Sequence, residues 1–219
     1  MTTLVIDTAT PIALIGAIEG DKVVFETTIP KEFRNSSFLF PKLVEECHKH
    51  NITPQQFTQI ALGVGPGSYT GVRVGVAAAQ GISFARNLPI LPFCSLSSYL
   101  PTKKYPTFWV TLDARIGGIY LLEGRYAESG EIVWASSPLL LSLEELKVKT
   151  LPHCILSPEL GKVQTRFTQA TILFKGVWEE ATPSLSPLCT LLPQLSPTQQ
   201  VDILYLRKTE AEQKQNKKR

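Results

Sequence analysis

The alternation of apolar and polar residues predicts two α/β halves. Short apolar runs at residues 4–6, 12–18 and 23–25 are separated by polar and glycine residues, as in an antiparallel strand meander. A helical pattern then follows, with Leu39, Leu43 and Cys47 in one stripe. Three strand patterns and a helical pattern recur loosely between residues 107 and 148. We therefore expect an α/β protein whose two similar halves enclose a cleft.

The first helical pattern carries two histidines that invite a metal-binding interpretation. We expect this helix to begin near Ser36 or Ser37 and to reach His50, with Pro41 delaying or bending its first turns. His48 and His50 lie two positions apart, so on a helix they point about 200° away from each other and cannot bind one ion. The sequence predicts no metal site.

Residues 61–73 form a glycine-rich block between a strand and a helix that extends to Arg86. A loop of this kind directs backbone N–H groups and a positive helix end at one spot, which suits a phosphate. A tight corner with nothing bound explains the glycines equally well. The block has neither the lysine of a P-loop nor the spacing of a dinucleotide fingerprint.

Carboxylates are absent from the surroundings of this block. There is no acidic residue between Cys47 and Leu112, so a catalytic carboxylate cannot come from the loop or its helix. Asp7 and Asp113, each at the end of a predicted strand, are the only acids suitably placed. For Asp7 we favour a structural role, in which its side chain caps the turn that leads to Thr10.

The helix after the block is rich in small residues, among them Gly75, Gly81 and the alanines at 77–79. Each internal glycine costs about 1 kcal/mol in helix propensity, which packing has to offset. The helix is either a tightly packed core helix or one that meets a helix of another chain. In the second case we expect Ala78→Trp or Ala79→Trp to block association without unfolding the protein.

Composition limits the function classes. The chain has 219 residues, 43% apolar and 19% charged, which is typical of an ordinary globular protein. No apolar run approaches a membrane span and no secretion signal is present, so we expect a cytoplasmic protein with reduced cysteines. The net charge of +3 comes from residues 207–219, which hold six basic and two acidic residues. We interpret this tail as a solvated terminus and expect no autonomous nucleic-acid binding by the remainder.

Four sequence blocks resemble the TsaB (YeaZ) family of actin-like, RNase H-like proteins. They are residues 6–10 (IDTAT), residues 65–73 (GPGSYTGVR) continued by Gly75, Ala79, Gln80 and Gly81, residues 113–115 with Ile119 and Tyr120, and residues 205–207. The second block is highly specific, whereas residues 138–197 contain no matching motif. Residues 35–41 and Gly118 depart from the family pattern.

The resemblance implies two RNase H-like/actin-like (ASKHA) domains, each a mixed β-sheet flanked by helices. Residues 1–101 would form the first domain and residues 102–197 the smaller second one, with residues 198–219 packing back on the first. It implies a non-catalytic subunit that pairs with a TsaD-like transferase, and with a TsaE-like ATPase, in threonylcarbamoylation of adenosine 37 of tRNA. The tRNA would be met only through the complex, and ATP or ADP would enter at that level. A homodimer is also compatible with the resemblance, which implies no membrane association.

The same resemblance assigns residues to two sites. The family pairs through the helices at residues 35–50 and 70–86, which here present Phe38, Leu39, Lys42, Leu43, Arg73, Val74, Ala77, Ala78 and Gly81. The candidates for a vestigial nucleotide or phosphate site are Asp7, Gly65, Gly67, Ser68, Thr70, Gly71 and Asp113. The alternative is an independent ATP-dependent phosphotransferase or a metallopeptidase of the same fold, and the residues favour the scaffold.

Overall fold

Two mixed β-sheets form the framework of the protein. The structure, a computed structural model, describes residues 1–30, 36–198 and 200–206, apart from the side chains of Ser36, Ser37 and Ile116. Asn35 and the basic tail 207–219 therefore lie outside the described residues. Among the described residues, no helix is both long enough and apolar enough to cross a membrane.

The first sheet has the strand order β3-β2-β1-β4-β5. Its strands are β1 (Thr2–Asp7), β2 (Ala13–Glu19), β3 (Lys22–Ile29), β4 (Phe57–Gly63) and β5 (Ile90–Phe93). The first three strands are antiparallel neighbours, while β4 pairs parallel with β1 and β5 pairs parallel with β4. Every residue of β1 is buried, which explains why its central residues 4–6 are all apolar and do not alternate with polar ones.

Helices α1 (Ser36–Lys49) and α2 (Tyr69–Arg86) cover one face of the first sheet. On this face, Leu39, Leu43 and Val76 join the sheet residues in a single apolar cluster. Pro41 lies inside α1, so the helix continues through it.

The second sheet has the order β11-β10-β6-β7-β8, and β9 pairs with β7. Its strands are β6 (Thr107–Asp113), β7 (Ile119–Tyr126), β8 (Ile132–Trp134), β9 (Leu139–Leu141), β10 (Cys154–Ser157) and β11 (Val177–Glu180). Read from the antiparallel edge, the order and the directions repeat those of the first sheet. The predicted α/β fold with two mixed sheets is thereby confirmed.

Two helices cover one face of the second sheet. Helix α3 (Leu143–Val148) agrees with the sequence, because Ser142 and Glu145 form a capping box at its start. The sequence pattern does not predict helix α4 (Leu160–Gln169), of whose residues only Val163 and Phe167 are buried. It does not predict the short strands β9, β10 and β11 either, because three or four residues show no clear periodicity. Sequence pattern alone therefore describes the second half poorly.

Residues near the C-terminal end of the chain return to the first sheet. Helix α5 (Ser186–Leu191), which the sequence assigned to the second domain, packs through Leu188 on the face of the first sheet opposite α1 and α2. The Leu185 amide, one residue before α5, donates a hydrogen bond to Glu26 Oε2 at 2.8 Å. Further on, Thr198 pairs with Ile90 of β5. The domain boundaries stay a prediction, and the contacts of α5 bear on where they are drawn.

Candidate functional site

The glycine-rich block forms a strand-to-helix corner whose backbone amides donate hydrogen bonds to other groups of the same chain. It connects β4 to α2, and the Ser68 hydroxyl caps the helix by accepting a hydrogen bond from the Gly71 amide at 3.2 Å. Gly65 adopts φ +100°, a conformation that L side chains disfavour, and its amide donates to Ser95 Oγ at 3.1 Å. The corner thus takes the form that the sequence predicted.

The turn between β1 and β2 fills the concave side of this corner. The Ser68 amide donates to the carbonyl oxygen of Ala9 at 2.7 Å, and the Thr8 hydroxyl donates to the carbonyl of Gly71 at 2.6 Å. A Cβ atom at Gly67 would overlap the Ala9 carbonyl, and one at Gly71 would overlap the Thr8 carbonyl. These two glycines therefore leave room for the backbone of the β1–β2 turn to pack closely against the corner.

Asp7 belongs to the same bonded network. Its side-chain oxygen Oδ1 accepts hydrogen bonds from the Ala9 amide at 2.9 Å and from the Ser95 hydroxyl at 3.0 Å, and the residue is only 2% exposed. A Cβ on Gly63 would overlap this carboxylate, so β4 presses directly on it. The contacts are those of the turn-capping role favoured from sequence. A phosphate at this corner would have to compete for the amides of Gly65, Ser68 and Gly71.

Asp113, the second candidate acid, is held by its own partners at the end of β6. Arg166 of α4 donates through Nε to Asp113 Oδ1 at 2.8 Å, and the Arg115 amide donates to the same oxygen at 3.1 Å. The Arg166 side chain also contacts the Arg115 carbonyl oxygen. Asp113 therefore fixes α4 and the turn after β6.

The histidines engage in structural contacts. His50 lies 3.7 Å from Glu46 Oε2, and its ring stacks on Phe25 with centroids 5.4 Å apart. His153 Nδ1 is 2.9 Å from the Thr107 hydroxyl. In the described part of the chain, no three His, Cys, Asp or Glu side chains come together in a way that could hold a metal ion.

The outward faces of α1 and α2 form an apolar groove, which we call the α1/α2 groove. It has a volume of about 500 Å³ and is lined by small and aliphatic side chains and one aromatic ring: Leu39, Phe40, Val74, Ala77, Ala78, Gly81, Ile82 and Ala85. A Cβ atom at Gly81 would meet nothing within 4 Å. Phe84, one turn further along α2, is 93% exposed. Apolar surface that water contacts in this way is typical of an interaction site.

The nine residues assigned to the partner interface divide into two groups. Phe38, Arg73, Ala77 and Gly81 are exposed, and Lys42 and Val74 are half-buried. Leu39, Leu43 and Ala78 are buried in the chain's own core.

Two substitutions suggested from sequence are corrected by this burial. Ala78 is 7% exposed and Ala79 is fully buried, so tryptophan at either position would disturb the packing of α2 on the sheet. The expectation that Ala78→Trp or Ala79→Trp leaves the fold intact is therefore wrong. Ala77 and Gly81, which line the groove, are exposed and tolerate a larger side chain better.

Several exposed side chains in or beside the groove are not among the nine residues assigned to the partner interface from sequence. Phe40 and Val44 are 45% and 53% exposed on α1, although their apolar character suggested burial. Tyr205, distant in the sequence, contacts the first turns of α2. Helical spacing could have revealed Phe40 and Val44, which lie one turn apart, but no local signal links Tyr205 to α2.

Comparison with known proteins identifies the family. The family model described as "TsaD: tRNA N6-adenosine threonylcarbamoyltransferase" matches residues 29–164. The tRNA threonylcarbamoyladenosine biosynthesis protein TsaB of Bacillus subtilis is 28% identical over 98% of this chain and 97% of its own length. The TsaB protein of Escherichia coli K12 is 30% identical over 61% of this chain and 58% of that protein.

A solved structure shares the whole fold. YeaZ from Pseudomonas aeruginosa superposes with a TM-score of 0.75 at 19% identity, over 94% of this chain and 99% of that one. The fold and the family model define the class, that of the two-domain actin-like proteins related to the TsaD transferase. Within this class the chain belongs to the TsaB (YeaZ) family, which confirms the resemblance carried by its motifs.

Proposed function

We propose that this protein is a non-catalytic scaffold subunit for threonylcarbamoylation of adenosine 37 in tRNA. It pairs with a TsaD-like transferase subunit and works with a TsaE-like ATPase, while the tRNA is met through the complex. The names of its relatives, tRNA threonylcarbamoyladenosine biosynthesis proteins, support the pathway.

The observation that carries the pairing is the α1/α2 groove. Ala77 and Gly81 place almost no side-chain bulk on the outside of α2, so a helix of another chain can approach its backbone closely. Phe40 and Phe84 supply exposed aromatic surface next to these small residues. Burying such surface is favourable by about 25 cal/mol for each Å² of apolar area. A partner of related fold offers two similar helices, which suits a four-helix contact across a pseudo-twofold axis.

The glycine corner supports the non-catalytic part of the proposal. The amides of Gly65, Ser68 and Gly71 already donate within the protein, and the carboxylates of Asp7 and Asp113 already accept hydrogen bonds. A phosphotransferase needs a base and a metal-holding acid that face one cleft, with phosphate cradled by backbone amides. Here the corresponding groups stabilise the corner and α4 instead. We therefore assign the corner the task of fixing the direction of α2.

The test is co-expression with the transferase subunit of the same organism, followed by size-exclusion chromatography with light scattering. We expect a stable one-to-one complex for the wild-type chain. Gly81→Trp should abolish it, because the indole would occupy the space into which the partner helix fits. Gly161→Trp on α4 is the matched control, since a Cβ there also meets nothing within 4 Å.

A wild-type chain that elutes alone would refute the pairing. So would a Gly81→Trp chain that co-elutes with the transferase as well as the Gly161→Trp chain does. Circular dichroism of both variants establishes that the fold is retained, because both substituted positions are exposed.

A further inference from the structure

The segment 200–206 runs as a strap over the glycine corner. The Leu204 amide donates to the carbonyl of Val64 at 2.9 Å, directly before the corner. Val201, Ile203 and Leu204 pack against the apolar cluster of the first sheet, and Leu206 packs against a cluster of the second. These contacts fix the strap and present Tyr205 at the start of α2.

Tyr205 completes a cluster with two residues of α2, which we call the Tyr69–Arg73–Tyr205 cluster. The Arg73 guanidinium carbon lies 4.0 Å from the centre of the Tyr69 ring, and Arg73 Nε donates to the Tyr205 hydroxyl at 3.0 Å. The two tyrosine rings lie 5.3 Å apart between centroids. Both rings are more than 40% exposed, so the cluster forms part of the surface. Stacking and the hydrogen bond together fix the plane of the guanidinium.

The charge of this guanidinium is not compensated within the described residues. Its terminal nitrogens Nη1 and Nη2 have no hydrogen-bond or ion-pair partner there. Helix α2 itself contains no acidic residue, so no carboxylate of its own lies beside Arg73. A planar guanidinium held at Nε presents its remaining N–H groups as a fork, the geometry that binds a carboxylate through two parallel hydrogen bonds.

The cluster is continuous with the α1/α2 groove. Arg73, Ala77 and Gly81 follow one another at intervals of four residues, so they lie on one stripe of α2. Val74, the neighbour of Arg73, lines the groove itself. A partner seated on the groove would therefore also cover the cluster. Tyrosine and arginine at the margin of an apolar contact are the residue types that dominate binding energy in protein interfaces.

We propose that the Tyr69–Arg73–Tyr205 cluster is a preassembled binding point for an Asp or Glu carboxylate of the transferase subunit. The proposal rests on the pairing function proposed above and adds to it the chemistry of one contact. Arg73 binds the carboxylate, Tyr69 supports the guanidinium from its face, and Tyr205 positions it through Nε. A phosphate of the tRNA backbone shares this chemistry, but the apolar groove next to the cluster favours a protein partner.

The test measures the dissociation constant of the full-length chain and the transferase subunit by isothermal titration calorimetry. Arg73→Ala should weaken binding roughly 10- to 100-fold, as expected for a charge-assisted hydrogen-bond pair. Arg73→Lys should recover only part of the loss, because a lysine keeps the charge without the fork. Tyr205→Phe keeps the ring and removes the hydroxyl, so a smaller loss of about 3-fold is expected. Arg125→Ala, an exposed arginine of β7, is the matched control and should bind as the wild type does.

The outcomes separate this proposal from the pairing itself. If the wild type binds and Arg73→Ala binds equally well, the cluster is not the binding point, while the pairing function stands. A lowered melting temperature with unchanged affinity would show that the cluster only anchors the strap, and it would overturn the proposal in the same way. Weakened tRNA binding by the assembled complex, with unchanged protein affinity, would assign the cluster to phosphate. If the wild type does not bind the transferase at all, both proposals fail.

Discussion

Helices α2 and α4 occupy the same place in the two halves of the molecule. Each follows the strand that pairs parallel with the central strand and precedes the strand at the parallel edge. Their outward faces differ in polarity. The exposed residues of α4 include Lys162, Gln164 and Thr168, whereas those of α2 include Ala77, Gly81 and Phe84 beside the polar Arg73 and Gln80. The same topology thus holds one helix with a polar, solvent-exposed face and another with an apolar exposed face of the kind that suits a protein partner.

The strand-end carboxylates show a second difference between the halves. Asp7 ends β1 and Asp113 ends β6, so the two residues hold equivalent positions. Asp7 is buried and accepts hydrogen bonds from a serine hydroxyl and a backbone amide. Asp113 forms an ion pair with Arg166 of α4. The first half positions its crossover helix through backbone contact at the glycine corner, and the second half does so through a side-chain ion pair. The same requirement is met by two kinds of interaction.

The largest expected effect concerns the backbone contact of the first half. Gly67→Ala should lower the free energy of unfolding by about 3 kcal/mol, because its Cβ overlaps the Ala9 carbonyl and backbone atoms on both sides have to move. Urea denaturation followed by circular dichroism measures the change. Gly161→Ala of α4, where the added methyl meets open space and alanine favours the helix, should raise the free energy of unfolding by up to about 1 kcal/mol. Equal stability of the two variants would remove the proposed difference between the corners.

The two carboxylates should differ in the same assay. Asp7→Ala leaves the Ala9 amide and the Ser95 hydroxyl without their buried acceptor, so we expect a loss of about 2–3 kcal/mol. Asp113→Ala breaks an ion pair that is partly open to water, and a loss of about 1 kcal/mol is expected. A larger loss for Asp113→Ala would mean that the ion pair, and not the buried network, is the stronger fixing device.

The smallest effect concerns α1, whose counterpart α3 in the second half is a helix of six residues. Burial alone would raise the pKa of Glu46, but the hydrogen bond from Lys42 and the charges of Lys49, Lys42 and His50 lower it overall. A lowered pKa in the folded state stabilises the protein above the pKa of the unfolded chain, and this contribution is lost as the pH falls. The free energy of unfolding of Glu46→Gln should therefore decline less steeply than that of the wild type between pH 6 and pH 3, by less than about 1 kcal/mol. Parallel curves for the two proteins would exclude this contribution.

The amino-acid sequence by itself determined the elements whose signals are local. Apolar runs defined the strands of the first sheet. The glycine block marked the corner before α2, because a positive φ and close backbone contacts both favour glycine. The family resemblance assigned the candidate interface to two helices, and that assignment stays a prediction. It failed for β9, β10, β11 and α4, whose short or weakly apolar segments obtain their stability from the sheet they join.

Only the tertiary structure decided which surfaces remain available. Periodicity shows that α2 has an apolar face, but the sheet determines that Ala78 is covered and that Ala77 and Gly81 are not. Tyr205 meets Arg73 across 132 residues of sequence, and the β1–β2 turn fills the glycine corner across more than 50. Such contacts form only where the folded chain brings distant segments together. Local sequence patterns do not encode such contacts, so the exposed face of α2 became apparent only in the fold.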